Sequence, residues 1–250
     1  MTRVLKIGGR AQADPSLPHA VRLAAQQGPV VVVHGGGDEV SSLQRRLGLN
    51  PRFHGGRRVT TVDDLTVVQM ALSGSANKRL VAAFVTEGVR AVGISGEDDG
   101  LLRAHATERE TLGEVGTPSR VDGRLIDTLV RGGYVPVVSP LGRDEETGAT
   151  LNINGDDAAA AIAVAIGATE LVLVADVPGV MADGVVIPEL DLEHALALVD
   201  NGTARDGMAA KLQAARRAVE LGVARVRIGN IDAIQSVKAG TAITLSPTAV

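Results

Sequence analysis

Six short apolar runs rich in β-branched residues recur along the chain: "RVLKI", "PVVVVH", "RAVGI", "YVPVVS", "ELVLVA" and "ARVRIG". Between them lie stretches whose apolar residues return every three to four positions, among them "DLTVVQMAL", "NKRLVAAFVTEG", "DDAAAAIAVAIG" and "DGMAAKLQAARRAVELG". Strands that are apolar on both faces, alternating with amphipathic helices, predict a mostly parallel sheet covered by helices on either side. Two segments break the alternation. Residues 51–61, "PRFHGGRRVTT", carry the turn residues of a hairpin, and residues 101–124 read as short strands and turns. A soft boundary falls near Gly167, after the alanine-rich helix, and divides the chain into a lobe of residues 1–166 and one of 167–250. There is no internal repeat.

Composition narrows the chemistry. The chain of 250 residues has a net charge of −4, which argues against general nucleic-acid binding, so any anion site must be local. It contains no cysteine, which excludes disulfides, thiolate metal sites and cysteine nucleophiles. The histidines, at positions 19, 34, 54, 105 and 194, show no His-x-x-His spacing, so no metal site is expected from them. No apolar run approaches the roughly 18 residues of a membrane span, and the chain enters a strand at once, which together predict a cytoplasmic protein. The only aromatics are Phe53, Phe84 and Tyr134, so a nucleotide would be gripped by aliphatic walls and backbone. Lysine occurs only at 6, 78, 211 and 238, against 21 arginines. Where such a chain keeps lysine, the position can want a compact ammonium in place of a planar fork.

In an open parallel sheet, ligands gather beyond the carboxyl ends of the strands, and this chain marks several of those turns with glycine: "KIGG", "VHGGG", "GISG" and "DVPG". In "VHGGGDEV" three glycines separate a valine strand from a segment of helical spacing. Glycine permits positive φ and lets a ligand touch the backbone, and N–H groups at a helix start attract an anion. A tight turn without a ligand reads equally well. The Walker pattern is absent because no Gly-Lys pair exists, and the dinucleotide G-x-G-x-x-G pattern fails at Val40, which also disfavours a nicotinamide enzyme. Lys6 ends a strand beside Gly8 and Gly9, either as a snorkelling surface lysine or as a cation aimed at a phosphate. In "LNINGDDAAAA", Asn152 and Asn154 share a face of an extended run. Asp156 or Asp157 either caps the following helix or holds cationic side chains in place. Leu212, Ala215 and Val219 form the buried stripe of the last long helix, and Lys211 points to the cleft or to solvent. Arg58, in the hairpin, is a carboxylate fork or a surface charge.

The order of these motifs, from "KIGG" through "VHGGG", "RRVTT", "SGSANK", "NINGDDAA", "DVPGV" and "DGMAAK" to "GTAITL", resembles the amino acid kinase family, and within it the N-acetylglutamate kinases, over nearly the whole chain. The resemblance implies an αβα sandwich whose N-terminal lobe binds the acyl amino acid and makes a dimer contact, while its C-terminal lobe binds ATP. It implies transfer of the γ-phosphoryl group to the side-chain carboxylate of N-acetyl-L-glutamate, giving an acyl phosphate in arginine biosynthesis, with Mg2+ held mainly by ATP oxygens and water. By the same resemblance, Lys6 and Lys211 hold the transferring phosphoryl and Asp156 organises them. Gly8, Gly9, Gly36 and Gly37 offer N–H groups to phosphates and the attacking carboxylate, with Gly35, Gly36 and Gly37 lining the amino-acid site. Arg58 clamps the α-carboxylate, and Asn152 with Asn154 meets the amino acid. Asp176, Val177, Pro178, Gly179, Val180 and Met181, with Asp206, Gly207 and Met208, form the nucleotide pocket, and the hairpin around Phe53 to Val59 covers the substrate. The chain departs from the family pattern at Arg10, which follows the first glycine pair, and at Gly155 and Asp157.

The physics is consistent with that implication. Two unit anions about 4 Å apart repel by roughly 4 kcal/mol at an effective dielectric of 20, so carboxylate attack on a triphosphate needs cations and backbone donors. A carboxylate is already deprotonated at pH 7 and needs no general base. Two alternatives stand beside this: a sibling kinase acting on a carrier-linked aminoadipate or glutamate, towards which "PRF" leans while "RRVTT" and "NING" lean away, and a non-catalytic sensor that keeps the fold. Without the additional N-terminal helix of arginine-inhibited members, a homodimer insensitive to arginine is expected.

Overall fold

In the computed structural model, which describes residues 1–182 and 184–245, every one of the six apolar runs forms a strand of one eight-stranded sheet. From edge to edge the order is Glu189–Asp191, Thr241–Thr244, Val226–Gly229, Glu170–Val174, Arg3–Ile7, Val30–His34, Val135–Ser139 and Ala91–Ser95. All neighbours are parallel except Val226–Gly229 and Thr241–Thr244.

Period-two alternation divides each central strand between two cores. Leu5, Ile7, Val30, Val32, Val172 and Val174 pack with Leu17, Val21, Leu80, Phe84 and Ile234 on one face. Val4, Val31, Val33, Leu171 and Leu173 pack with Ala159, Ile162, Leu212 and Ala215 on the other. The molecule is therefore a three-layer α/β sandwich, as the pattern predicts. The sheet runs unbroken across Gly167, because Glu170–Val174 lies directly beside the N-terminal strand.

The two irregular segments also take the expected form. Arg52–His54 and Arg57–Val59 pair as an antiparallel hairpin, turned by Gly55 and Gly56 at φ of 54° and 75°. Leu102–Ala106, Val115–Val121, Leu141–Asp144 and Thr150–Ile153 close into a small barrel on the sheet, with a short helix, Arg109–Leu112, inserted. A π-helical stretch, Met70–Ala76, joins the helices Val62–Gln69 and Asn77–Thr86. The parallel strands Arg3–Ile7, Val30–His34 and Glu170–Val174 end side by side, with the first flanked by the other two on opposite sides, so the turns after them form the crevice where an open sheet binds ligands.

Candidate active site

Lys6 shares its sheet face with Val4, opposite Leu5 and Ile7, so it points towards the start of the helix Gly155–Ala165. There its Nζ lies 3.0 Å from Asp156 Oδ1. Lys211, on the helix Asp206–Glu220, reaches the other oxygen of the same carboxylate, Oδ2, at 3.3 Å. All three are buried, with exposures of 7%, 9% and 4% for Lys6, Lys211 and Asp156. Burial works against the charge of Asp156, but the two ammonium groups outweigh it and hold the carboxyl below the usual carboxylate range. Burial pulls Lys6 below the ordinary lysine range; Asp156 opposes that shift and Lys211 reinforces it. Two cations share one anion, so the cluster carries an excess positive charge in a desolvated place.

The glycine turns converge on this cluster. A Cβ placed on Gly35 would lie 3.9 Å from Lys6 Nζ and 4.0 Å from the Gly9 nitrogen, and one on Gly9 would lie 4.0 Å from the Gly37 nitrogen. Within the described residues, the N–H groups of Gly9, Gly36 and Gly37 make no hydrogen bond, whereas those of Gly8 and Gly35 donate to Val174 O and Ile7 O. None of the glycines at 8, 9, 35, 36 or 37 lies in the left-handed region, and Gly36 sits near φ 171°. Of the two uses glycine offers here, the structure draws on close approach to the backbone and not on left-handed conformation. Gly36 is crowded, since a Cβ would come within 2.7 Å of Leu72 Cδ2.

Two cavities meet here, and Gly37 lines both. The first, of about 190 Å3, is bounded by Gly35, Gly36, Gly37, Arg58, Asn152 and Leu72, among others, with Phe53 and Gly56 of the hairpin over it. Arg58 is locked: its Nη2 donates to Gly37 O and Ser41 Oγ, each at 2.7 Å, its Nη1 donates to Gln44 Oε1, and its guanidinium sits 4.7 Å from the Phe53 ring centre. Gln44 in turn donates to Asp64. Asn152 donates to Thr60 Oγ1 at 3.0 Å. Asn154 also lines this cavity, but its Oδ1 accepts from the backbone N–H groups of Asp156 and Asp157. The helix cap is thus Asn154, in place of either aspartate, which frees Asp156 for the lysines.

The second cavity, of about 500 Å3, is lined by Gly8, Gly9, Arg10, Asp38, Asp176 and Lys211, with Val177, Gly207 and Met208. Arg10 closes one side through a 2.7 Å contact with Asp176. Gly179 and Val180 turn away from it: Val180 is buried with its N–H on Thr241 Oγ1, and a Cβ on Gly179 would strike that same oxygen at 2.7 Å. Pro178 and Met181 do not line it either, whereas Asp176 and Val177 do. The side chain of Asp206 lies outside the described residues.

Sequence reasoning missed the supports. His34 is fully buried; its Nδ1 lies 2.8 Å from Gly35 O and its Nε2 3.1 Å from Asn77 Nδ2. Burial pushes its pKa down to about 4, against the opposing pull of the Gly35 carbonyl, so it is neutral at pH 7. Gln12 adds a 2.7 Å bond to the same carbonyl. These partners lie far apart along the chain, and no spacing rule announces them. Among the described residues, no three His, Asp or Glu side chains cluster so as to hold a metal ion, and no helix is long and apolar enough to cross a membrane.

This geometry has counterparts. The acetylglutamate kinase of Geobacillus kaustophilus (strain HTA426) is 43% identical over 230 residues, which are 91% of this chain and 89% of that one. The acetylglutamate kinase of Methanopyrus kandleri (strain AV19) is 43% identical over 241 residues, covering 92% and 96%. The crystal structure of smu.665 from Streptococcus mutans UA159 superposes with a TM-score of 0.88 at 29% identity, over 98% and 99% of the two chains. Carbamate kinase from Giardia lamblia bound to AMP-PNP shares the fold, with a TM-score of 0.73 at 17% identity over 98% of each chain. A family model for the amino acid kinases matches residues 1–230, and on these likenesses the chain belongs to the amino acid kinase family.

Proposed function

We propose that this enzyme transfers the γ-phosphoryl group of ATP to the side-chain carboxylate of N-acetyl-L-glutamate, forming N-acetyl-L-glutamyl 5-phosphate. The observation that carries this reading is the pair of buried ammonium groups on Asp156: Lys211 lines the wider cavity, and Lys6 lies behind Gly35 and Gly155 of the smaller one. Phosphoryl transfer asks for positioning and charge neutralisation more than covalent chemistry, and this cluster supplies both. The locked guanidinium of Arg58 suits an α-carboxylate, and Asn152 adds a neutral hydrogen-bonding group. The wider cavity suits ATP, with Gly8, Gly9 and Lys211 towards its phosphates. Asp38 and Asp176 are its carboxylates, and Asp176 already accepts from Arg10, so that wall fits a nucleotide that brings its own Mg2+. When bound, that ion would neutralise phosphate charge.

Lys6 and Lys211 would steady the transferring group while the N–H groups of Gly9, Gly36 and Gly37 orient the attacking carboxylate and the phosphate oxygens. No base is required, which fits a neutral His34 held in the wall. The acyl amino acid would lie in the lobe of residues 1–166 and the nucleotide against residues 167–250, in a cytoplasmic homodimer. The relatives named acetylglutamate kinase support this choice of acid over a carrier-linked aminoadipate. Incubation with MgATP, N-acetyl-L-glutamate and hydroxylamine is expected to yield the hydroxamate of the trapped acyl phosphate. A stronger yield from aminoadipate derivatives, or none from any acid, would overturn the assignment. Light scattering and a rate measured with millimolar arginine test the expectation of an arginine-insensitive dimer; a hexamer or strong inhibition would count against it.

A further inference from the structure

Asp156 and Asp157 are consecutive in the first turn of the helix Gly155–Ala165, so their side chains leave the axis about 100° apart. Asp156 faces the lysines. Asp157, also buried, faces a different gap and takes two guanidinium groups: Arg57 Nη2 at 3.2 Å and Arg217 Nη2. Arg57 belongs to the hairpin over the acid cavity, one residue before Arg58; both line that cavity, but Arg58 is tied to Gly37 and Gln44 whereas Arg57 reaches across to Asp157. Arg217 belongs to the helix Asp206–Glu220, which also carries Lys211 into the nucleotide cavity.

The hairpin has few other ties on that side. Its strands are three residues each, Arg52, Phe53, His54, Gly55 and Gly56 are exposed, and a polar cleft of about 330 Å3 separates its turn from Gln213 of the long helix. A desolvated carboxylate resists losing either partner, because the remaining charge would be buried with too little compensation. A shift of the long helix is therefore felt at Arg57, and a shift of the hairpin at Arg217.

We propose that Asp157 is a positioning residue that couples the two cavities, so that nucleotide bound against the long helix steadies the hairpin over the acid site. The inference rests on reading the wider cavity as the nucleotide site. Its test is amide hydrogen exchange across residues 52–59, with and without saturating Mg–AMP-PNP and with no acid present. In the parent protein the nucleotide is expected to slow hairpin exchange about threefold or more. In Asp157→Asn that response should shrink to within about 1.3-fold, while the nucleotide Kd moves less than about threefold. If Asp157→Asn does not fold, Arg57→Gln, which cuts only the hairpin half of the bridge at a half-buried position, is expected to lose the same response. A hairpin indifferent to nucleotide in the parent, or a response retained in the variant that folds, overturns the coupling. Failure of the parent to bind Mg–AMP-PNP would sink the functional reading as well, whereas binding without a hairpin response sinks the coupling alone.

Discussion

In the smaller cavity Arg58 is fixed by Gly37 O, Ser41 and Gln44 before any ligand arrives, whereas the charged edge of the wider cavity is an exposed pair, Arg10 with Asp176. The difference matches what each site has to recognise. A small carboxylate has little to hold, so selectivity has to come from a fork whose direction is set in advance. A triphosphate carries several charges and its own metal, and bare backbone N–H groups with a few cations suffice. Where the two meet, the design returns to rigidity: Lys6, Asp156 and Lys211 are packed so that charge is in place without reorganisation.

That contrast is open to attack in order of expected effect. Lys211→Ala should lower kcat about a thousandfold with the fold intact, since it removes a buried cation at the junction; turnover near the parent rate would refute the shared cluster as the centre of charge stabilisation. The packing behind the Gly35 turn should reveal its neutral imidazole through pH. His34 is depressed to about 4 in the folded state against about 6.5 unfolded, so its contribution is complete above pH 6.5 and lost as pH falls towards 4. The stability advantage of the parent over His34→Gln should therefore shrink by about 3 kcal/mol across that window in urea titrations. A difference that does not change with pH would disprove it.

Arg58→Lys keeps the charge but not the fork, and is expected to raise KM for N-acetyl-L-glutamate about tenfold while KM for ATP stays put. Equal shifts in both would erase the distinction between the cavities. At the small end, Arg10→Ala should change KM for ATP by less than about threefold, because an exposed pair is screened by water. A large effect there would mean that the open cavity also depends on a placed side chain.

The strands, the flanking helices and the hairpin were legible because burial on one or two faces imposes a period, and each period is local. Lys6 was legible in part: alternation with Val4 states which face it takes, but not that Asp156 waits there. The helix cap was misassigned to Asp156 or Asp157 because "NINGDD" offers Asn154 and both aspartates within four positions, and only the angle at which the extended run enters the helix chooses among them. The surroundings of Gly179 and Val180 were not legible for a similar reason. Their turn follows a strand end like the others, but Thr241, brought beside it by the sheet, takes the Val180 N–H.

By itself, then, the sequence determined the six core strands, the helices whose spacing is regular and where glycine leaves backbone uncovered, though not the edge strands Glu189–Asp191 and Thr241–Thr244. Tertiary structure decided the partnerships: two lysines on one carboxylate, two arginines on its neighbour, and a histidine and a glutamine on one carbonyl. The reason is that periodicity is set by residues a few positions apart, whereas a charge pair is set by how distant elements cross.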